Sequence, residues 1–84
     1  VATITVNGLV TGSRVKFVKV ADSSILEVVA ESGGSVSITT SYIGSIAITA
    51  RKASSAPYYK EWVTVVTSVA GATVTATALQ QLDQ

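Results

Sequence analysis

Apolar and polar residues alternate with a period of two along most of this chain. The longest such stretch runs from Val36 to Arg51. Val36, Ile38 and Thr40 fall on one face, Ser37 and Thr39 on the other. After Gly44 the alternation restarts, with Ile46, Ile48 and Ala50 against Ser45, Ala47, Thr49 and Arg51. Successive strand side chains point to opposite faces, so this pattern predicts half-buried β-strands. The two runs meet at a short corner and read as a central hairpin in the middle of the core.

The same reading gives five more strands. Ala2 to Val6 is the first, closed by the turn dipeptide Asn7-Gly8. Arg14 to Val20 is the second. Its parity changes midway, from Val15 and Phe17 to Val18 and Val20, which predicts cover on both faces or a bulge. Both faces partly covered is the preferred reading, with Lys16 and Lys19 reaching water. Asp22-Ser23-Ser24 predicts a turn. Ile25 to Glu31 follows, with Leu26, Val28 and Ala30 on one face, and its Glu residues are placed to pair with the lysines of strand two. Ser32-Gly33-Gly34-Ser35 is a turn, expected to hold at least one positive φ. Residues 52–57 form a loop of small residues ending in Pro57. Tyr58 to Thr67 and Ala72 to Ala78 complete the set. The predicted core is Ile4, Val6, Val15, Phe17, Leu26, Val28, Val36, Ile38, Ile46, Ile48, Val63, Val65 and Val74.

Seven short strands with turn signals between them predict an all-β fold: a seven-stranded, mostly antiparallel β-sandwich, with a closed barrel as the runner-up. The domain is expected to span 1–78. Residues 79–84 lose the alternation, and Leu79 and Leu82 sit three apart among helix formers. This C-terminal extension reads as the start of a helix or a linker, and its two leucines as an assembly contact.

Composition narrows the chemistry. The 84 residues include no Cys and no His, so Ser-His-Asp and Cys-His catalytic sets, disulfides and thiolate metal sites are excluded. Glu27 and Glu31 would lie about 13 Å apart on one strand face, too far for a glycosidase pair. No Asp-x-Asp-x-Asp calcium pattern occurs, and no glycine group ends in the Lys-Ser/Thr of a phosphate loop. Neither enzyme activity, nor a cofactor, nor a metal is expected. Six basic residues balanced by five acidic ones leave a weak footprint for nucleic acid. Arg51-Lys52, with Lys60, therefore reads as a solvated hairpin end. No run of 18 apolar residues exists, so no membrane span is expected. Tyr58, Tyr59 and Trp62 are the one aromatic constellation. They read either as a platform stacking on a surface glycan or a protein partner, or as a seal on the sandwich end; the seal is preferred. Charged residues make up only 13% of the chain, about half the usual share, and Ser, Thr and Ala supply much of the rest. A surface so poor in charge favours association. The chain opens at Val1 inside an alternating pattern, with no signal-peptide layout, and reads as a processed form or a piece of something longer.

Three segments carry a resemblance. They are Ile4-Thr5-Val6-Asn7-Gly8-Leu9-Val10-Thr11-Gly12-Ser13-Arg14-Val15, the strand Ile46-Ala47-Ile48-Thr49-Ala50-Arg51, and Tyr58-Tyr59-Lys60-Glu61-Trp62 leading to Val69-Ala70-Gly71-Ala72. Together they resemble small β-sandwich modules of tailed-phage virion proteins, found in tail fibres, tail tips and related structural parts. The topology also resembles the transthyretin-like sandwich, so the resemblance implies an immunoglobulin-like or transthyretin-like fold and a non-enzymatic structural module in a virion, packing on copies of itself or on other virion proteins. It carries over no binding residue.

Overall fold

The computed structural model describes residues 1–52 and 56–82. It contains strands β1 (Ala2–Asn7), β2 (Arg14–Lys19), β3 (Ile25–Ala30), β4 (Val36–Thr40), β5 (Gly44–Lys52), β6 (Tyr59–Ser68) and β7 (Thr73–Thr77). No helix is found among the described residues. The strands form two sheets, of order β4-β1-β7 and β3-β2-β5-β6. All pairs are antiparallel except β1 with β7. The two sheets share one core, the arrangement of a β-sandwich.

That core is built by alternation. Ile4 and Val6 of β1, Val15 and Phe17 of β2, Val36 and Ile38 of β4, and Ile46, Ile48 and Ala50 of β5 are all buried. Their neighbours in sequence are half-buried or exposed, as a period of two requires. Leu26, Val29, Tyr42, Trp62, Val66 and Val74 pack against this cluster from its margins.

The expected central hairpin does not form. β4 pairs with β1 in one sheet, and β5 pairs with β2 and β6 in the other. Val36 and Ile38 therefore meet the β5 isoleucines across the core, not alongside them. Alternation shows which residues face inward but not whether two strands lie side by side or face to face. The corner is fixed as an arch. Tyr42 N–H donates to Thr40 Oγ1 at 3.1 Å, Ser68 Oγ donates to the Tyr42 carbonyl at 2.8 Å, and Tyr42 packs on the core.

Two bulges correct the predicted faces. In β3 the pairing shifts between Phe17 and Val18, so Leu26 is the extra residue on its strand. Beyond it Val29 faces Val15 and packs on the core, while Val28 faces Lys16 and is exposed. Val28 is thus not a core residue. The same register puts Glu27 opposite Phe17, so the expected Lys–Glu pairing across β2 and β3 is replaced. Lys19 Nζ instead lies 5.1 Å from the Tyr42 ring centre, a cation–π distance. The second bulge lies in β6, where Ala50 pairs with Trp62 but Lys52 pairs with Tyr59. Beyond it Trp62, Thr64 and Val66 face the core side, and Val63 and Val65 face solvent at 55% and 59% exposure. Val63 and Val65, expected in the core, therefore stand on the opposite face. On size and branching the two faces of β6 look alike, and only the pairing with β5 separates them.

The tail after β7 closes one end. Gln80 Oε1 accepts from the Val10 N–H at 3.0 Å, and Gln80 Nε2 donates to Ser13 Oγ at 3.1 Å. Lys60 N–H donates to the Gln81 carbonyl at 2.7 Å, and Leu82 bridges to Tyr59. Residues 79–82 are therefore an extended strap, not a helical start; the rest of the 79–84 extension lies outside the described residues.

Candidate functional surface

The three aromatic residues singled out by sequence do not share one surface. Tyr58 precedes β6 and is half exposed. The bulge places Tyr59 beside Lys52 and Trp62 beside Ala50, and both Lys52 and Ala50 are buried. Trp62 packs on the core cluster. Tyr59 and Trp62 are both half-buried, which is how amphipathic rings close a sandwich margin.

The basic residues are also regrouped. Lys52 is not solvated: it is 6% exposed, and its Nζ donates to the Pro57 carbonyl at 2.6 Å. Unbroken alternation along β5 explains this, because Lys52 follows Ala50 by two residues and so shares its inner face. Arg51 instead stands opposite Arg14, with Lys16 two residues along the same strand. All three are exposed. Sequence reasoning missed this cluster because it is assembled by register, from positions more than thirty apart in the chain. Lys60 is exposed at the start of β6.

Residues directly opposite in antiparallel strands project on the same face. The outer face of the four-stranded sheet can therefore be read in rows. One row is Ile25–Val18–Ala47–Val65, apolar from edge to edge. The next is Val28–Lys16–Thr49–Val63, and the third is Ala30–Arg14–Arg51. Ile25, Val28, Val63 and Val65 are each about half exposed or more. Strands in a half-buried antiparallel sheet ordinarily turn polar residues outward. Here an apolar band faces solvent beside a basic one. Leu79 and Leu82, the expected assembly contacts, are also exposed, at 74% and 45%, with the Leu82 backbone engaged in the strap.

The acidic residues serve the loops. Glu31 accepts from the Gly12 N–H at 3.0 Å and the Gly34 N–H at 2.9 Å, and these two bonds hold its carboxyl below the usual glutamate range. Asp22 accepts from Ser24 N–H at 3.0 Å and is likewise held low, chiefly by that bond. Among the described residues no group of three or more His, Cys, Asp or Glu is placed to hold a metal. No helix there is long and apolar enough to cross a membrane.

Comparison with protein-family models, with curated proteins and with solved structures finds no match to this chain.

Proposed function

We propose that this domain is a non-enzymatic structural module that works by self-association, as a component of a larger assembly. The sequence resemblance directs the proposal to a tailed-phage virion protein of the tail, fibre or decoration type, located in the particle. Its partners are then copies of itself or other virion proteins. The observation that carries the proposal is the apolar row Ile25–Val18–Ala47–Val65 on the solvent side of the four-stranded sheet. A contiguous apolar patch on a domain this small marks a contact surface. The scarcity of charge supports it, since little opposes contact between copies. The alternative use, a glycan platform of Tyr58, Tyr59 and Trp62, has less support, because Trp62 is committed to the core margin.

Sedimentation at micromolar concentration tests this. The expected result is a mass above one chain that rises with concentration, from a contact burying more than roughly 1,000 Å² in total. The chain truncated after Ala78 shows how far Leu79 and Leu82 contribute. A single-chain mass at every concentration would overturn self-association.

A further inference from the structure

β6 is an edge strand, and it is unlike the other edges of this fold. Sheet edges present unpaired backbone N–H and C=O groups, and folded proteins blunt them with short strands, bulges, charge or proline. β4 and β7 are five residues long. β3 carries a bulge and Glu27. β6 is ten residues long, and among the described residues only its start is covered. The strap covers Tyr59 and Lys60, and Lys60-Glu61 supplies the charge. From Trp62 to Thr67 the sequence is Trp-Val-Thr-Val-Val-Thr, without charge, Gly or Pro. That is six β-favouring residues on an open edge, the composition that recruits another strand.

The edge is also complementary to itself. Two copies of β6 run antiparallel across a two-fold axis must keep inner faces with inner faces, so the axis falls on a residue and not between two. Within the free stretch from Glu61 to Ser68, an axis at Thr64 sets Trp62 opposite the partner's Val66, Val63 opposite the partner's Val65, and Thr64 opposite its own copy. An axis at Val65 would instead set Trp62 against a serine and Val63 against a threonine. Aromatic to β-branched and Thr–Thr pairs are among the better cross-strand pairs, so the first register is favoured. It also stops at Glu61 against the partner's Thr67, just short of the strap.

We infer that β6 pairs with β6 of a second copy about Thr64, joining two four-stranded sheets into one. This rests on the self-association proposed above and places its contact at the β6 edge, where the apolar row ends at Val65, with the rest of the row outside the contact. The Val65 end of the apolar row then continues into the partner's Val63, so the outer apolar face extends unbroken across the junction.

The test uses the absence of cysteine from the chain. Opposed residues of an antiparallel pair have Cα atoms about 4.5–5.5 Å apart, within disulfide reach. Thr64→Cys is therefore expected to give an intermolecular disulfide under mild oxidation of the folded protein, reversible by reductant. Val18→Cys, central on the outer face, is expected to stay monomeric on the same gel. Linkage through Val18 and not Thr64 would overturn edge pairing in favour of stacked faces. Association of the wild type with no linkage at Thr64 would overturn this inference and leave self-association standing. A wild type that is always one chain would overturn both. Charge reversal provides an independent check. Val63→Lys/Val65→Lys and Val63→Glu/Val65→Glu are each expected to lose the dimer, because like charges then oppose twice. Mixing them is expected to restore it. No dimer in the mixture, with both variants folded, would contradict the register.

Discussion

At the residue scale, the turn before β4 shows how a few groups hold a loop. Gly34 has φ +81°, its N–H binds Glu31, and its carbonyl accepts from Leu9 N–H at 2.9 Å. A Cβ there would stand 3.3 Å from the Leu9 carbonyl oxygen. Gly34→Val is expected to destabilise by about 1–2 kcal/mol, for the positive φ alone. Ser35→Val, at a position of ordinary backbone, should cost less; equal losses in urea unfolding would refute this. Glu31 gives a pH prediction with a definite sign. Its carboxyl is held low in the folded state and returns to the ordinary range on unfolding. The stability it lends is complete above the ordinary glutamate pKa and is lost as pH falls through the folded value. Glu31→Gln should therefore flatten the acid side of the stability profile, with Asp22 sustaining the remainder. An unchanged acid limb would contradict the role given to Glu31. The positive φ at the paired glycines was legible from the sequence, because Gly-Gly between two strands has few other uses. The carboxylate clamp on Gly12 and Gly34 was not, because it joins two loops brought together only by folding.

At the element scale, every strand lies close to where alternation put it, and the core of β1, β2, β4 and β5 is as predicted. What alternation missed is what one extra residue does. A bulge reverses the faces beyond it, and so Val28, Val63 and Val65 were assigned inward while Val29, Trp62 and Val66 took those places. The contrast can be measured. Ile48 is fully buried, and Ile48→Ala should cost about 2–5 kcal/mol. Val65→Thr, on the exposed face, should fall within about 0.5 kcal/mol of wild type at concentrations where the chain is dilute. Matching urea midpoints for the two variants would show that the face assignment of β6 is wrong. The β4–β5 arch was illegible for a different reason. Strand pairing across a tight corner and packing across a core satisfy the same pattern, and only the contacts of Tyr42 and Ser68 decide between them.

At the scale of the whole molecule, the chain folds without a disulfide, which small domains often need. Its strap and its three-residue clamp of Gln80, Val10 and Ser13 tie one end shut. The apolar row faces solvent, and the free part of β6 lies on a sheet edge. None of this surface was visible from composition alone, which indicated a tendency to associate but not a face. Self-association through the β6 edge is tested most directly by backbone hydrogen exchange as a function of protein concentration. Amides of 61–67 that point away from β5 should exchange quickly when the protein is dilute and become protected as it is concentrated, while those of β3, β4 and β7 stay unchanged. Exchange of β6 that is indifferent to concentration, in a sample whose mass shows it to be associated, would contradict this.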